Sequence, residues 1–175
     1  MNILLIRGPA NNKAIDLSHY TFSEPLGLQM LYSVLSKENS VEIFDMLADK
    51  TTLEKKLNEK QFDFCGISSA CSDIFMIKDL ARKIKKVKDI PIFIGGYQVK
   101  KTPELFKSKH IDFIMIETNK ENLYKMTESV KRNNSTSKLK GVLRKSLNFE
   151  DCELREVEET FDISRESKKK YKKKY

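Results

Sequence analysis

The sequence has few of the features that mark a secreted, membrane-spanning or zinc-binding protein. Its 175 residues include three cysteines and two histidines, and no spacing among them resembles a zinc site. Three cysteines without short-range pairing favour a reducing cytoplasm over a disulfide scaffold. No apolar run approaches the ~20 residues of a membrane span. A first predicted strand that begins at Asn2 leaves no room for a signal peptide.

The fingerprints of common nucleotide-binding α/β domains are also absent. The first predicted strand is followed by Arg7-Gly8-Pro9-Ala10, which lacks the G-x-G-x-x-G pattern of a dinucleotide site, and the chain contains no P-loop. The third predicted strand ends in Ser68 rather than in the aspartate of a receiver domain. The loop after the first strand is poor in the hydroxyl groups of a flavin mononucleotide site. These absences exclude the corresponding ligand classes.

The positive net charge does not indicate a nucleic-acid partner. Of the total of +8, the last ten residues supply +5, because they hold six lysines and one glutamate. A nucleic-acid-binding domain would need a stripe of Lys and Arg over its folded body, and residues 1–165 carry only +3. The lysine-rich tail is typical of a solvated, partly helical end. The alternative is a linker to a further domain, since a domain rarely stops within such a run.

Short apolar segments alternate with amphipathic ones along the first 131 residues. The predicted strands are Asn2–Ile6, Val41–Phe44, Phe62–Ser68, Ile90–Ile94 and Ile111–Ile116. The predicted helices begin near Pro25, Thr51, Ser72 or Asp73, Thr102 and Glu121. This alternation predicts βαβ units with right-handed crossovers. We therefore expect an α/β fold, a Rossmann-like or flavodoxin-like doubly wound sheet of about five parallel strands with helices on both faces.

The composition changes after Lys131. The predicted α/β domain covers residues 1–131, and residues 132–175 form a linker or appendage. Within this appendage, Gly141–Arg144 predicts a short edge strand, and the residues from Ser164 onward are almost all charged.

Residues able to carry catalysis are scarce. His110 precedes the fifth predicted strand, and His19 lies in a long loop without a cysteine or second histidine nearby. Cys65 lies inside a strand, where cysteine usually acts as a small buried hydrophobe. Asp45 and Glu117 could form a carboxylate pair, although strand ends often carry acids. The sequence predicts neither a catalytic residue nor a metal held by protein ligands.

The carboxyl ends of the third and fourth strands lack bulk and charge. Ser68-Ser69-Ala70 follows one strand and Gly95-Gly96 follows the other. Paired glycines form a tight turn or let a ligand touch the backbone, and ligands of open α/β sheets lie at this edge. Small hydroxyl groups beside bare backbone fit a large, neutral, hydrogen-bonding ligand. They do not fit a phosphate, which needs a helix N-terminus and a cation.

Six motifs in one order carry a family resemblance across residues 1–131. They are Asn-Ile-Leu-Leu-Ile-Arg-Gly-Pro, Pro-Leu-Gly-Leu, Val-Glu-Ile-Phe-Asp, Gly-Ile-Ser-Ser, Ile-Gly-Gly-Tyr and Thr-Pro-Glu. The series resembles the N-terminal cobalamin-binding domain of B12-dependent radical SAM enzymes. Within that family, the motifs resemble most those of the group that includes the anaerobic magnesium-protoporphyrin IX monomethyl ester cyclase.

The resemblance implies cobalamin as the ligand and assigns it a site. The nucleotide tail of cobalamin would pass the residues Ser68, Ser69, Gly95, Gly96 and Tyr97. The corrin face would be supported by Pro25, Leu26 and Gly27.

The chain also departs from the family pattern. Asp16-Leu17-Ser18-His19 has the wrong spacing for a cobalt-ligating histidine, so we predict no histidine–cobalt bond. The G-E-G-E motif is replaced by residues 117–121, and the C-x-x-x-C-x-x-C motif of radical SAM domains is absent. We expect a binding domain and linker that are non-catalytic alone. The iron–sulfur cluster and SAM would belong to a radical SAM domain of the full-length chain, a methyltransferase or cyclase-like enzyme.

Two alternatives remain open at the level of sequence. The altered loop at residues 117–121 and the lysine-rich tail also suit an interaction or regulatory domain that has lost cobalamin binding. A small-molecule enzyme on a flavodoxin-like fold is the other alternative, and the scarcity of catalytic groups disfavours it.

Overall fold

Six strands form one sheet in this computed structural model, which describes residues 1–9, 24–69, 74–132 and 139–149. The strands are β1 (Asn2–Arg7), β2 (Ser40–Asp45), β3 (Phe64–Ser68), β4 (Ile92–Gly95), β5 (Phe113–Met115) and β6 (Val142–Arg144). Their order across the sheet is β2-β1-β3-β4-β5-β6. Strands β1 to β5 are parallel, and β6 is antiparallel to β5. The predicted doubly wound α/β sheet is confirmed, with the predicted short strand as its sixth member.

Five α-helices accompany the strands in the described residues. They are α1 (Leu26–Leu35), α2 (Leu53–Asn58), α3 (Ile74–Val87), α4 (Tyr97–Lys101) and α5 (Lys120–Lys131), with 3-10 turns at Pro103–Phe106 and Lys145–Leu147. The Thr52 hydroxyl caps α2 and the Asn119 side chain caps α5, each accepting a backbone N–H three residues on. In the part of the chain that is described, every helix is too short or too polar for a bilayer crossing.

One predicted helix start is confirmed in position but not in type. The pattern Thr102-Pro103-Glu104 predicted a helix start, and a four-residue 3-10 helix begins there, without a capping hydrogen bond to the side chain of Thr102. Its hydroxyl instead donates to the Gln98 carbonyl at 3.3 Å, so Thr102 closes the preceding helix α4. That helix escaped prediction because it has five residues and starts directly after the paired glycines. The predicted caps Ser72 and Asp73 lie outside the described residues.

Alternate residues of each strand face opposite layers, as the period of a β-strand requires. Leu4 and Ile6 pack with α2 and α3, whereas Ile3 and Leu5 pack with α1 and α5. The α1/α5 layer is built around Phe64, Phe93 and Phe113, whose neighbouring rings lie 5.0 and 5.9 Å apart. Gly66 makes room for this cluster, because a Cβ there would lie 2.2 Å from the Phe93 ring. Helices therefore cover both faces, as predicted.

Candidate ligand pocket

The ends of three parallel strands meet at one edge of the sheet. Arg7 of β1 pairs with Ser68 of β3, which in turn pairs with Gly95 of β4. The loop after β3 then reaches β4 again, because the Ser69 N–H donates to the Gly95 carbonyl at 2.8 Å. The serine and glycine loops that were predicted to lie together do so at the carboxyl edge, where α/β sheets bind ligands.

A pocket of about 280 Å³ lies at this edge, between the start of α1 and the ends of β3, β4 and β5. Its lining is mostly apolar, and the hydroxyl groups of Ser68 and Thr118 are the polar side-chain atoms among the lining residues. The lining consists of Gly27, Leu28, Met30, Leu31, Ile67, Ser68, Phe93, Gly95, Gly96, Met115 and Thr118. This lining contains no ionisable side chain, so it suits an uncharged, largely apolar group.

The two glycines after β4 differ in what they do for the backbone. Gly96 has φ +122°, and a Cβ there would lie 3.2 Å from three atoms of Ser69. Only glycine adopts this conformation without strain, so Gly96 lets the serine loop and the glycine loop touch. A Cβ on Gly95 would lie 3.7 Å from Met115 Cβ and from Thr118 Oγ1. Any side chain at residue 95 would therefore lie beside two residues that line the pocket.

Ser69 brings an unpaired polar atom to this edge. The residue is fully buried, and its Oγ has no hydrogen-bond partner among the described residues. The hydroxyl lies beside Gly96, since it is one of the atoms 3.2 Å from the position of that missing Cβ. A buried hydroxyl without a partner costs about 1–3 kcal/mol, so its retention is consistent with a bound group that pairs with it.

The eight residues assigned to the site from sequence divide into two groups. The four that line the pocket are Gly27, Ser68, Gly95 and Gly96. Ser69 lies behind Gly96, and Pro25 precedes the first residue of α1. Leu26 and Tyr97 are 50% and 70% exposed, and each is the first residue of its helix. Their role in binding stays a prediction for all eight residues.

Sequence analysis did not identify the apolar walls and the Thr118 hydroxyl. Phe93 lies two residues before Gly95 on the same strand, and Met115 is the neighbour of Gly95 across the ladder. Leu31 lies in α1 three residues after Leu28, at helical spacing. The period-2 patterns of β4 and β5 and the helical period of α1 could have identified these three residues. Thr118 lies in a loop without a pattern of its own.

The candidate carboxylate pair does not form. Asp45 ends the edge strand β2, and Glu117 follows β5, so three strands, β1, β3 and β4, lie between them. At about 4.8 Å per strand the two residues are far too distant to share a proton. Asp45 instead pairs with Arg7 at 3.4 Å and accepts the Leu47 N–H at 3.0 Å. Its role is to hold the loop after β2.

The remaining candidates do not add a reactive centre to the pocket. Cys65 is fully buried in β3, and burial raises the pKa of its thiol far above the usual range. Such a thiol stays protonated and acts as the small core hydrophobe that was predicted. Among the described residues there is no group of three His, Cys, Asp or Glu side chains that could hold a metal ion. His19 lies outside the described residues.

Comparison with known proteins identifies the family of this chain. Residues 13–125, more than half of the chain, match the family model described as the B12 binding domain. The chain is also 32% identical over 109 residues to an uncharacterized methyltransferase from Pyrococcus horikoshii. That match covers 60% of this chain and 24% of the relative, so the chain spans about a quarter of the length of that protein. The chain belongs to the B12-binding domain family.

Proposed function

We propose that the chain is a cobalamin-binding module whose pocket at the carboxyl edge of the sheet takes the nucleotide tail of cobalamin. The supporting observation is an apolar pocket of about 280 Å³ bordered by Gly95 and Gly96. Beside Gly96 lies the buried hydroxyl of Ser69, which has no hydrogen-bond partner within residues 1–9, 24–69, 74–132 and 139–149. Membership of the B12-binding domain family supplies the identity of the ligand.

The residues present fit such a group. A flat, uncharged base would contact the apolar side chains of Phe93 and Met115, which line the pocket without charge. A hydrogen-bonding atom of the ligand would pair with the Ser69 hydroxyl, whose burial makes an unmade hydrogen bond costly. Leu26 and Tyr97 are exposed beside the lining residues Gly27 and Gly96. Outside the pocket, Leu26 would meet the corrin macrocycle and Tyr97 would contact the nucleotide tail.

The described side chains indicate which role belongs to the cofactor and which to the chain. Cobalamin, when bound, supplies the cobalt-centred radical or group-transfer chemistry. The chain itself binds and orients the cofactor, since the pocket lining offers no acid, base or nucleophile stronger than a hydroxyl group. The absence of a histidine–cobalt bond also remains part of this proposal.

The whole protein is proposed to be a B12-dependent radical SAM enzyme, either a methyltransferase or a cyclase-like enzyme. The ordered motifs of residues 1–131 support this proposal. The relative, of which the match covers 24%, carries the name of a methyltransferase. The iron–sulfur cluster and SAM would bind in a separate radical SAM domain of the full-length chain. A cysteine triplet C-x-x-x-C-x-x-C encoded downstream of residue 175 is the expected finding, and its absence there would contradict the proposal.

Titration with hydroxocobalamin tests the binding function. We expect a change in the visible spectrum and retention of about one cobalamin per chain after desalting. A protein that is folded by circular dichroism but gives neither signal would refute the proposal.

A pair of glycine variants tests the location of the site. Gly95→Val should weaken cobalamin binding by at least about tenfold, because its side chain grows beside Met115 and Thr118. Gly8→Val is the matched control. Its Cβ would lie 3.8 Å from Ile77 and Leu80, on the opposite face of the sheet. Equal affinities of the two folded variants would contradict the proposed site.

A further inference from the structure

Residues 139–142 form a tight turn that contacts the loop after β5. The turn is closed by the Val142 N–H, which donates to the Leu139 carbonyl at 3.1 Å. The Gly141 carbonyl accepts from two consecutive amides of the loop, those of Ile116 at 2.8 Å and Glu117 at 3.0 Å. The turn lies outside residues 13–125, the part of the chain that matches the family.

The side chain of Asn122 joins the same two segments. Asn122 lies in the first turn of α5 and is 1% exposed. Its Nδ2 donates to the Glu117 carbonyl at 3.1 Å and to the Lys140 carbonyl at 2.8 Å. One amide group therefore bridges the loop after β5 and the turn, and it does so from inside the protein.

Gly141 makes this close contact possible. Its φ of +72° belongs to the left-handed region, which favours glycine. A Cβ at this position would lie 2.6 Å from Glu117 Cβ and 2.9 Å from both Cγ and Cδ of that side chain. Any other residue would push the turn away from the loop and break the hydrogen bonds of the Gly141 carbonyl.

The loop held in this way contributes to the ligand pocket. Met115 precedes it and Thr118 belongs to it, and both line the pocket. Met115 also pairs with Val142 in the antiparallel ladder. Thr118 Oγ1 lies within 3.7 Å of the position that a Gly95 side chain would occupy. The position of this wall of the pocket therefore depends on residues 139–142.

We propose that Asn122 and Gly141 are positioning residues that fix the loop at residues 116–118, and with it the Thr118 side of the cofactor pocket. The inference rests on the cobalamin-binding function proposed above. It extends the functional unit to residues 139–142, beyond the region that matches the family.

The first test measures the loop without ligand, in the full chain. Asn122→Ala removes both bridging hydrogen bonds. It should accelerate amide hydrogen exchange of Ile116 and Glu117 by at least about tenfold relative to the β1 amides. Asn39→Ala is the matched control, because Asn39 donates to the Leu35 carbonyl at 3.0 Å at the far end of α1. Asn122→Asp keeps the side-chain shape, loses the donor, and should act like Asn122→Ala. Equal acceleration of exchange at the β1 amides and at Ile116 and Glu117, or no acceleration at either place, would overturn the inference.

The second test measures cobalamin affinity of the same variants. Asn122→Ala should weaken binding about five- to fiftyfold, whereas Asn39→Ala should leave it unchanged. If Asn122 acts through the loop, its effect should shrink in a Thr118→Val background, since residues that act together are non-additive. Selective loosening of the loop with unchanged affinity would overturn this inference alone. Failure of the unmodified chain to bind cobalamin would overturn the proposed function as well.

Discussion

Ser69 shows how a single residue can be retained at the expense of stability. Its hydroxyl is buried without a partner among the described residues, and a buried hydroxyl that makes no hydrogen bond costs about 1–3 kcal/mol. We predict that Ser69→Ala keeps or raises the free energy of unfolding while weakening cobalamin binding about five- to tenfold, the value of one hydrogen bond. Urea unfolding and cobalamin titration of the same variant measure the two effects.

Ser129 provides the control for this prediction. Its Oγ accepts a 2.7 Å hydrogen bond from the buried guanidinium of Arg144, and neither residue lines the pocket. Ser129→Ala should therefore lower the free energy of unfolding by about 1–3 kcal/mol, since it removes a buried hydrogen bond to a charged group, and should not change cobalamin affinity. A loss of stability in Ser69→Ala as large as that in Ser129→Ala would show that the Ser69 hydroxyl is already satisfied.

At the scale of elements, the contact between β3 and β4 sets the position of one pocket wall. A Cβ at Gly66 would lie 2.2 Å from the ring of Phe93, which lines the pocket, and 2.9 Å from Leu5. We predict that Gly66→Ala destabilises the protein by about 1–3 kcal/mol through overpacking. Thermal and urea unfolding provide the measurement.

A second substitution tests whether the Phe93 ring is the cause. In the double variant Gly66→Ala/Phe93→Leu, leucine at residue 93 should restore part of the free energy of unfolding that Gly66→Ala loses, because it replaces the ring that clashes with the new Cβ. Gly27→Ala in α1 is the contrasting case. Its Cβ meets no atom within 4 Å, and alanine favours the helix by up to about 1 kcal/mol. Additive losses in the double variant would contradict the assigned contact.

At the scale of the whole molecule, a cluster of charges links the edge strand β2 to α2 and makes stability depend on pH. Burial alone would raise the pKa of Glu42, but hydrogen bonds and charges from Lys56 and Lys60 outweigh burial and lower the pKa. The stabilisation is complete above the unfolded pKa of about 4.3. It is lost as the pH falls through the lower pKa of the folded state.

We predict that Glu42→Gln unfolds at a lower urea concentration than the unmodified protein near neutral pH. The difference should vanish once the pH lies below the folded-state pKa of Glu42, because the unmodified carboxyl group is then protonated too. Urea midpoints measured from about pH 3 to pH 7 provide the test. High salt should reduce the difference only in part, since the Lys56 side chain is 13% exposed. A pH-independent difference would contradict the ion-pair explanation.

Much of the fold follows from local patterns in the sequence. All five parallel strands were predicted from their apolar segments, which are centred near Leu4, Ile43, Ile67, Ile94 and Ile114. The first and last residues of each predicted strand differ from the observed ones by no more than two positions. The serine and glycine loops were predicted to meet because parallel strands align their carboxyl ends. The sequence pattern missed α4, since five residues after a glycine pair carry too little periodicity to mark a helix.

The site was less predictable, because much of it depends on contacts between distant residues. The side of α1 that faces β4 follows from packing, so Met30 was not identified as a wall of the pocket. The bridge between Asn122 and Lys140 joins residues that no local pattern relates. That the Ser69 hydroxyl has no partner among the described residues becomes visible only from the three-dimensional positions of its neighbours.

The reversed direction of β6 determines where the polypeptide leaves the sheet. Because β6 runs antiparallel to β5, its last residue lies at the amino edge, and the Lys145 N–H donates to the Asp112 carbonyl just before β5. Phe149 packs there against the core on the α2/α3 side. Residue 149, the last described residue, thus lies at the amino edge of the sheet, whereas the pocket lies at the carboxyl edge. The two edges lie one strand length apart, about four residues of extended chain at 3.3 Å each.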